Sequence, residues 1–231
     1  MKQIGKNMNK KQIISLLFTG IVLSAFGMLM LFSGYALIEP TQLTAAVATT
    51  TTSAVSLTVD EEISLSASGA TALTPNISVT QDSSVGSSTW TVITNSTGGY
   101  SLKFTTASAN ALTNSSDTFT DVSTTTPTAW AEDADSYIWG YSAYGDDVAT
   151  TTWGDAVACG TAGASALTTS LNYAGFATTV ASTTNAALSA TDPTSQTGTV
   201  TTLCIAAEQG ANVFAPNGSY SATVTGTATT Q

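Results

Sequence analysis

Residues 88–106, STWTVITNSTGGYSLKFTT, decide the fold class. Trp90 and Val92 alternate with Thr91 and Ile93. Tyr100, Leu102 and Phe104 then fall on one face of a second run, with Lys103 on the other. A period of two in β-branched and aromatic residues is the mark of a half-buried strand. Ser96-Thr97-Gly98-Gly99 between the runs supplies a reversal, because glycine accepts positive φ at little cost. The expectation is a β-hairpin.

The same alternation recurs outward from this pair. In SAVSLTVD (53–60) Val55, Leu57 and Val59 alternate with Ser56 and Thr58, and ISLSAS (63–68) repeats the pattern with Ile63, Leu65 and Ala67. DSYIWGYSAYG (135–145), GTVTTLCIAA (198–207) and SYSATVTGTA (219–228) read as further strands, the last with Tyr220, Ala222 and Val224 on one face. Residues 160–198 are weakly patterned and rich in Ala, Thr, Ser and Asn. No long amphipathic helix is visible after residue 40. Short strands separated by turn signals predict an all-β protein, an antiparallel β-sandwich of the Ig-like or fimbrial-like kind with about 8–10 strands.

Composition agrees. The 231 residues include 45 Thr and 28 Ser, and only 9% are charged. Threonine is β-branched and serine competes with the helix backbone, so both favour strands and turns. There is no histidine and no arginine. That excludes a Ser-His-Asp triad, a Cys-His pair and a histidine metal cage. The acidic balance excludes a nucleic-acid partner, which requires a basic face. The expected protein is not an enzyme, and no cofactor is predicted beyond a weak case for Ca²⁺.

The amino terminus reads as an export segment. Lys2, Lys6, Lys10 and Lys11 precede an uninterrupted apolar run from Ile13 to Phe32. A positive region followed by an apolar one is a secretion signal. Twenty helical residues span about 30 Å, so the same run is long enough to be a retained anchor with its amino end in the cytoplasm. Gly34-Tyr35-Ala36 places small residues correctly for cleavage after Ala36. The chain therefore divides into a signal peptide or signal anchor (1–36), a Thr-rich linker (37–52) and a β domain (53–231). Beyond residue 36 one lysine, Lys103, faces all 15 acids, a net charge of −14. The expected location is extracellular or at the cell surface, reached through the general secretory route.

Cys159 and Cys204 both follow the export segment, and an even count in an exported chain predicts a disulfide. It would staple the weakly patterned 160–198 stretch to the strand that holds Cys204.

The aromatic set Trp130, Tyr137, Trp139, Tyr141, Tyr144 and Trp153 fits a buried core. It also fits a carbohydrate-stacking surface, for which Tyr144 and Trp153, beside Gly145 and Gly154, are the candidates. Asp133, Asp135, Asp146 and Asp147 are weak Ca²⁺ candidates, since clustered oxygens suit that ion, but their spacing does not match an EF-hand loop. Asn76, Asn95, Asn114 and Asn217 occupy N-x-Ser/Thr sequons, and Asn95 and Asn217 fall at turns, where asparagine is expected anyway.

The export segment, the Thr-rich tether, STWTVITNSTGGYSLKF and NGSYSATVTGTATT together resemble secreted bacterial surface β-sandwich proteins, a group that includes WxL-like wall-associated domains and pilin-like or fimbrial subunits. Trp90-Thr91-Val92 stands where the WxL group has Trp-x-Leu. The resemblance implies a non-catalytic exported surface protein, adhesin-like or structural, with a surface glycan or protein as partner. Two alternatives accompany it. One is a self-assembling filament or surface-layer subunit that pairs edge strands, with Ser53–Asp60 or Ser219–Thr227 as donor. The other is a carbohydrate-binding module.

Overall fold

The computed structural model describes residues 53–122, 125–162, 167 and 170–231. The export segment, the Ala36 cleavage site and the 37–52 linker lie outside the described residues. From Leu57 onward the chain forms one compact unit, whose regular structure is mostly strands: β1 (Ile63–Ala67), β2 (Ser83–Thr94), β3 (Tyr100–Thr106), β4 (Thr120–Asp121), β5 (Thr128–Ala129), β6 (Tyr137–Gly145), β7 (Asn172–Tyr173), β8 (Ala187–Ser189), β9 (Thr199–Gln209) and β10 (Val224–Thr230). A helical turn, α1 (Thr150–Trp153), follows β6, and a 3-10 turn lies at Val180–Ser182.

The strands make a five-stranded sheet in the order β1-β2-β9-β6-β4, a three-stranded sheet β10-β3-β8 and a short β5-β7 ribbon. All neighbours are antiparallel except β4 on β6. The predicted strands at 63–68, 135–145 and 198–207 appear as β1, β6 and β9. The one at 219–228 starts later, at Val224.

The 88–106 stretch forms two strands but not a hairpin. β2 pairs with β1 and β9, whereas β3 pairs with β10 and β8. Asn95–Gly99 is therefore an arch that carries the chain from one sheet to the other. The physical reason lies in the side chains. Val92, Tyr100, Leu102 and Phe104 are fully buried, and the Trp90 and Phe104 rings meet edge to face at 5.0 Å. Alternating aromatics on both runs bury more surface face to face than side by side. Gly99, at φ +79°, makes the reversal, and its N–H donates to Ser96 O.

SAVSLTVD does not form the first strand. Val55, Leu57 and Val59 are 92%, 87% and 73% exposed. The register explains this. Ile63 stands opposite Thr94, the last residue of β2. Continuing that antiparallel register, every residue before Glu62 would need a partner beyond Asn95, where the chain has already turned away. The Asn95 side chain closes the ladder: its amide donates to Asp60 O and its carbonyl accepts the Glu62 N–H, both at 2.7 Å.

The main core lies between the two larger sheets and holds Val92, Leu102, Phe104, Trp139, Tyr141 and Leu203. A second cluster, with Val85, Leu171, Tyr173, Cys204 and Ala206, covers the opposite face of the five-stranded sheet. Residues of β9 alternate between the two: Leu203 and Ala207 face the first, Cys204 and Ala206 the second.

Phe104→Ala should lower unfolding free energy by about 3–5 kcal/mol, the range for emptying an aromatic site in a core. Ile93→Ala, at a position 40% exposed near the end of β2, should cost about 0.5 kcal/mol or less. Urea titration of both variants checks this; similar losses would contradict the arch.

Candidate functional site

The second core cluster is where the candidate chemistry collects. Residues on either side of β6, Trp130 before it and Ala156, Cys159, Ala162, Leu171 and Tyr173 after it, join this cluster, and the β5-β7 ribbon ties the two sides together. The Cys159–Cys204 disulfide joins the second of these sides to β9, with Cα atoms 5.4 Å apart, inside the usual range for the bond. The predicted pairing is thus present. Cys204 is fully buried.

Beside the staple, Trp130 and Tyr173 pack edge to face at 5.0 Å. They line a cavity of about 170 Å³ together with Thr120, Asp121, Thr128 and Ile138. The Trp130 indole N–H donates to Glu208 on β9. Glu208 is only 2% exposed. Burial raises its carboxyl above the usual range, the indole bond opposes this, and the negative Glu132 and Asp82 raise it further. Asp121, at the cavity wall, is also raised by burial. The Asn110 N–H, 2.6 Å from its Oδ2, works against that rise. The Trp139 indole also favours the ionised form of this carboxyl. The cavity wall thus combines an edge-to-face aromatic pair with a carboxyl of raised proton affinity. Neither Trp130 nor Asp121 was singled out by the sequence as a ligand residue. The only trace was the position of Trp130 in the aromatic set.

Trp153 is corrected from surface candidate to core residue. It is fully buried, its ring packs 5.2 Å from Tyr141, and its indole N–H donates to Asn185 O at 2.7 Å. The turn of α1, starting after Ala149, swings the ring inward. Tyr144 is half-buried against the second cluster. The core reading holds for Trp139 and Tyr141, which stack on Phe176 at 4.6 and 4.4 Å. Burial pushes the Tyr141 hydroxyl up to about 12.

The acids do not gather into one Ca²⁺ site. Asp133 and Asp135 precede β6 while Asp146 and Asp147 follow it, and nine strand residues separate the pairs by about 30 Å. Among the described residues no three ligating side chains converge. Asp133, Asp135 and Asp147 each have a structural engagement instead. Asp133 accepts from Ser136 Oγ at 2.6 Å and from the Asp135 N–H, which together hold its carboxyl below the usual range. Asp135 accepts from Asn212 Nδ2 and Glu132 from the Ala211 N–H, clasping this loop to the one after β9. Asp147 accepts from the Tyr100 hydroxyl at 2.8 Å, and burial together with this bond raises the tyrosine. Of the sequon residues, Asn95 has its amide committed to the 60–62 backbone.

Comparison with family models, with curated proteins and with solved structures finds no match to this chain.

Two expectations follow from this geometry. Glu208 has a raised folded-state pKa, so its favourable contribution is full below the ordinary carboxylate range and is lost as pH rises through the folded value. Glu208→Gln keeps an oxygen acceptor for Trp130 and removes the buried charge. It should therefore be more stable than wild type at pH 7, with the gap closing toward pH 4; denaturant midpoints at both pH values check the sign. Replacing both cysteines by serine, which opens a 45-residue separation, should cost about 4 kcal/mol on the chain-entropy account. The loss should be matched by reducing the wild type before unfolding it.

Proposed function

We propose that the two larger sheets form a fimbrial-like β-sandwich and that the protein is a non-catalytic module of the cell envelope, exported and adhesin-like or structural. The observation that carries this reading is the Cys159–Cys204 staple, which fastens the second cluster to β9 of the central sheet. Such a bond persists in an oxidising compartment and is reduced in a cytosol. The basic and apolar residues 1–36 supply a route to that compartment, cleaved after Ala36 or retained as an anchor with the amino end in the cytoplasm. Its partners would be a surface glycan or protein. The WxL-like and pilin-like resemblance belongs to this proposal.

A second reading, a subunit that assembles through edge strands, is favoured by the three large apolar side chains that SAVSLTVD leaves in water.

Protease shaving of intact producing cells, with alkylation of free thiols beforehand, tests the first reading. The protein should be digested from outside and should carry no alkylated cysteine. A protected protein whose Cys159 and Cys204 both alkylate would overturn it.

A further inference from the structure

An exposed extended segment of alternating pattern and two unguarded sheet edges are features of this molecule that its own fold leaves unused. Val55, Leu57 and Val59 have the spacing of a strand with one buried face. The register of β1 on β2 denies that strand a partner in its own sheet. Leaving three such residues in water is costly, since each buried Val or Leu side chain contributes about 1.5–3 kcal/mol.

The complementary surface lies on β10. This strand is the outer member of the β10-β3-β8 sheet, and β1 is the outer member of the other. The two edges run beside one another. Ile63 and Leu65 on β1, and Val224 and Ala228 on β10, pack on the core yet remain half-exposed. Seven residues long, β10 contains neither a charged residue nor a proline, and its free side carries no backbone bond among the described residues. Soluble proteins ordinarily blunt such an edge with lysine, proline or a bulge, because an unpaired edge recruits other strands.

We propose that Val55–Val59 of one copy adds as a strand along the β10 edge of a second copy, at the seam with β1. Leu57 and its neighbours then cover the half-exposed side chains of that seam, and backbone bonds complete the edge. Donor and acceptor are different surfaces, so the contact is head-to-tail and extends into chains instead of closing as a dimer. The idea rests on the envelope reading only for where assembly occurs. Association is measured in solution, so failure of surface exposure and failure of strand addition are separate results.

The test uses the full chain in a mild non-ionic detergent, so that residues 1–52 are common to every sample. Leu57→Lys with Val59→Lys disables the donor at positions whose exposure makes them neutral to folding. Thr225→Lys with Thr229→Lys disables the acceptor at two exposed positions of β10. Sedimentation velocity should show concentration-dependent oligomers for the wild type. Each double variant should weaken association by about a hundredfold or more, with unchanged thermal unfolding. Mixed one to one, the donor-dead and acceptor-dead proteins should form a dimer and nothing longer, because one intact donor meets one intact acceptor. A wild type that stays monomeric, oligomers that persist in both double variants, or a mixture that remains monomeric would each overturn the proposal.

Discussion

The structure depends on β9 being buried on both faces. An antiparallel sheet in a small domain commonly keeps one face in water. Here Leu203 and Ala207 point into one core while Cys204 and Ala206 point into another, so the sheet needs a covering layer on its second side. The cover comes from either side of β6: Trp130 before it, and Ala156, Cys159, Ala162, Leu171 and Tyr173 after it. The covalent link from Cys159 to Cys204 keeps it there. The strand that requires the cover is therefore also the strand to which the cover is tied.

Burial on both faces explains the serine and threonine content better than solubility does. Ser83, Ser84, Ser88, Ser142 and Thr201 are buried within the strands. Small side chains let a second layer approach a sheet closely, and threonine retains β-propensity while doing so. Gly86 and Gly140 carry this to its limit. A Cβ at Gly86 would lie 2.6 Å from Thr71, and one at Gly140 2.8 Å from Val122. The cost is buried polarity. Among the described residues Ser142 Oγ and Thr201 Oγ1 have no hydrogen-bond partner, and the buried Glu208 carboxyl accepts from the Trp130 indole.

Much of this was legible in the sequence, and the misreadings share a cause. Period-two alternation located β1, β2, β3, β6 and β9 because it reports which residues avoid water. It does not report which strand lies alongside. Residues 88–106 therefore read as a hairpin, although Trp90 and Phe104 meet across two layers. The same blindness made SAVSLTVD look like a partnered strand, although its register runs off the end of β2. Ser83–Ser88 was missed for the opposite reason, since a strand of small residues carries no contrast between its faces. The cysteines were readable because chemistry, not patterning, pairs them. Trp153 was misplaced because a glycine neighbour suggests a turn and says nothing of where the preceding ring points. The Trp130–Asp121 cavity had no local signal, since its walls come from four separate stretches of chain.

Alternation without a partner is itself informative. A strand pattern persists in a sequence only if the segment has somewhere to bury its apolar face; otherwise the side chains are an aggregation hazard that a single charge would remove. In this chain charge is withheld from Val55–Val59 and from β10, yet Asp60-Glu61-Glu62 follows at once. The acidic run marks the point where the extended segment meets the folded domain, and the Asn95 amide grips the backbone there. That grip sets the reach of the free segment: residues 53–59, at about 3.3 Å each, span about 23 Å. Seven residues of β10 span the same length. Matched length, matched lack of charge and half-covered apolar faces are what two strands of one sheet require of each other. The β1–β2 register leaves the segment without a partner in its own sheet, and the β10 edge of a second copy supplies one.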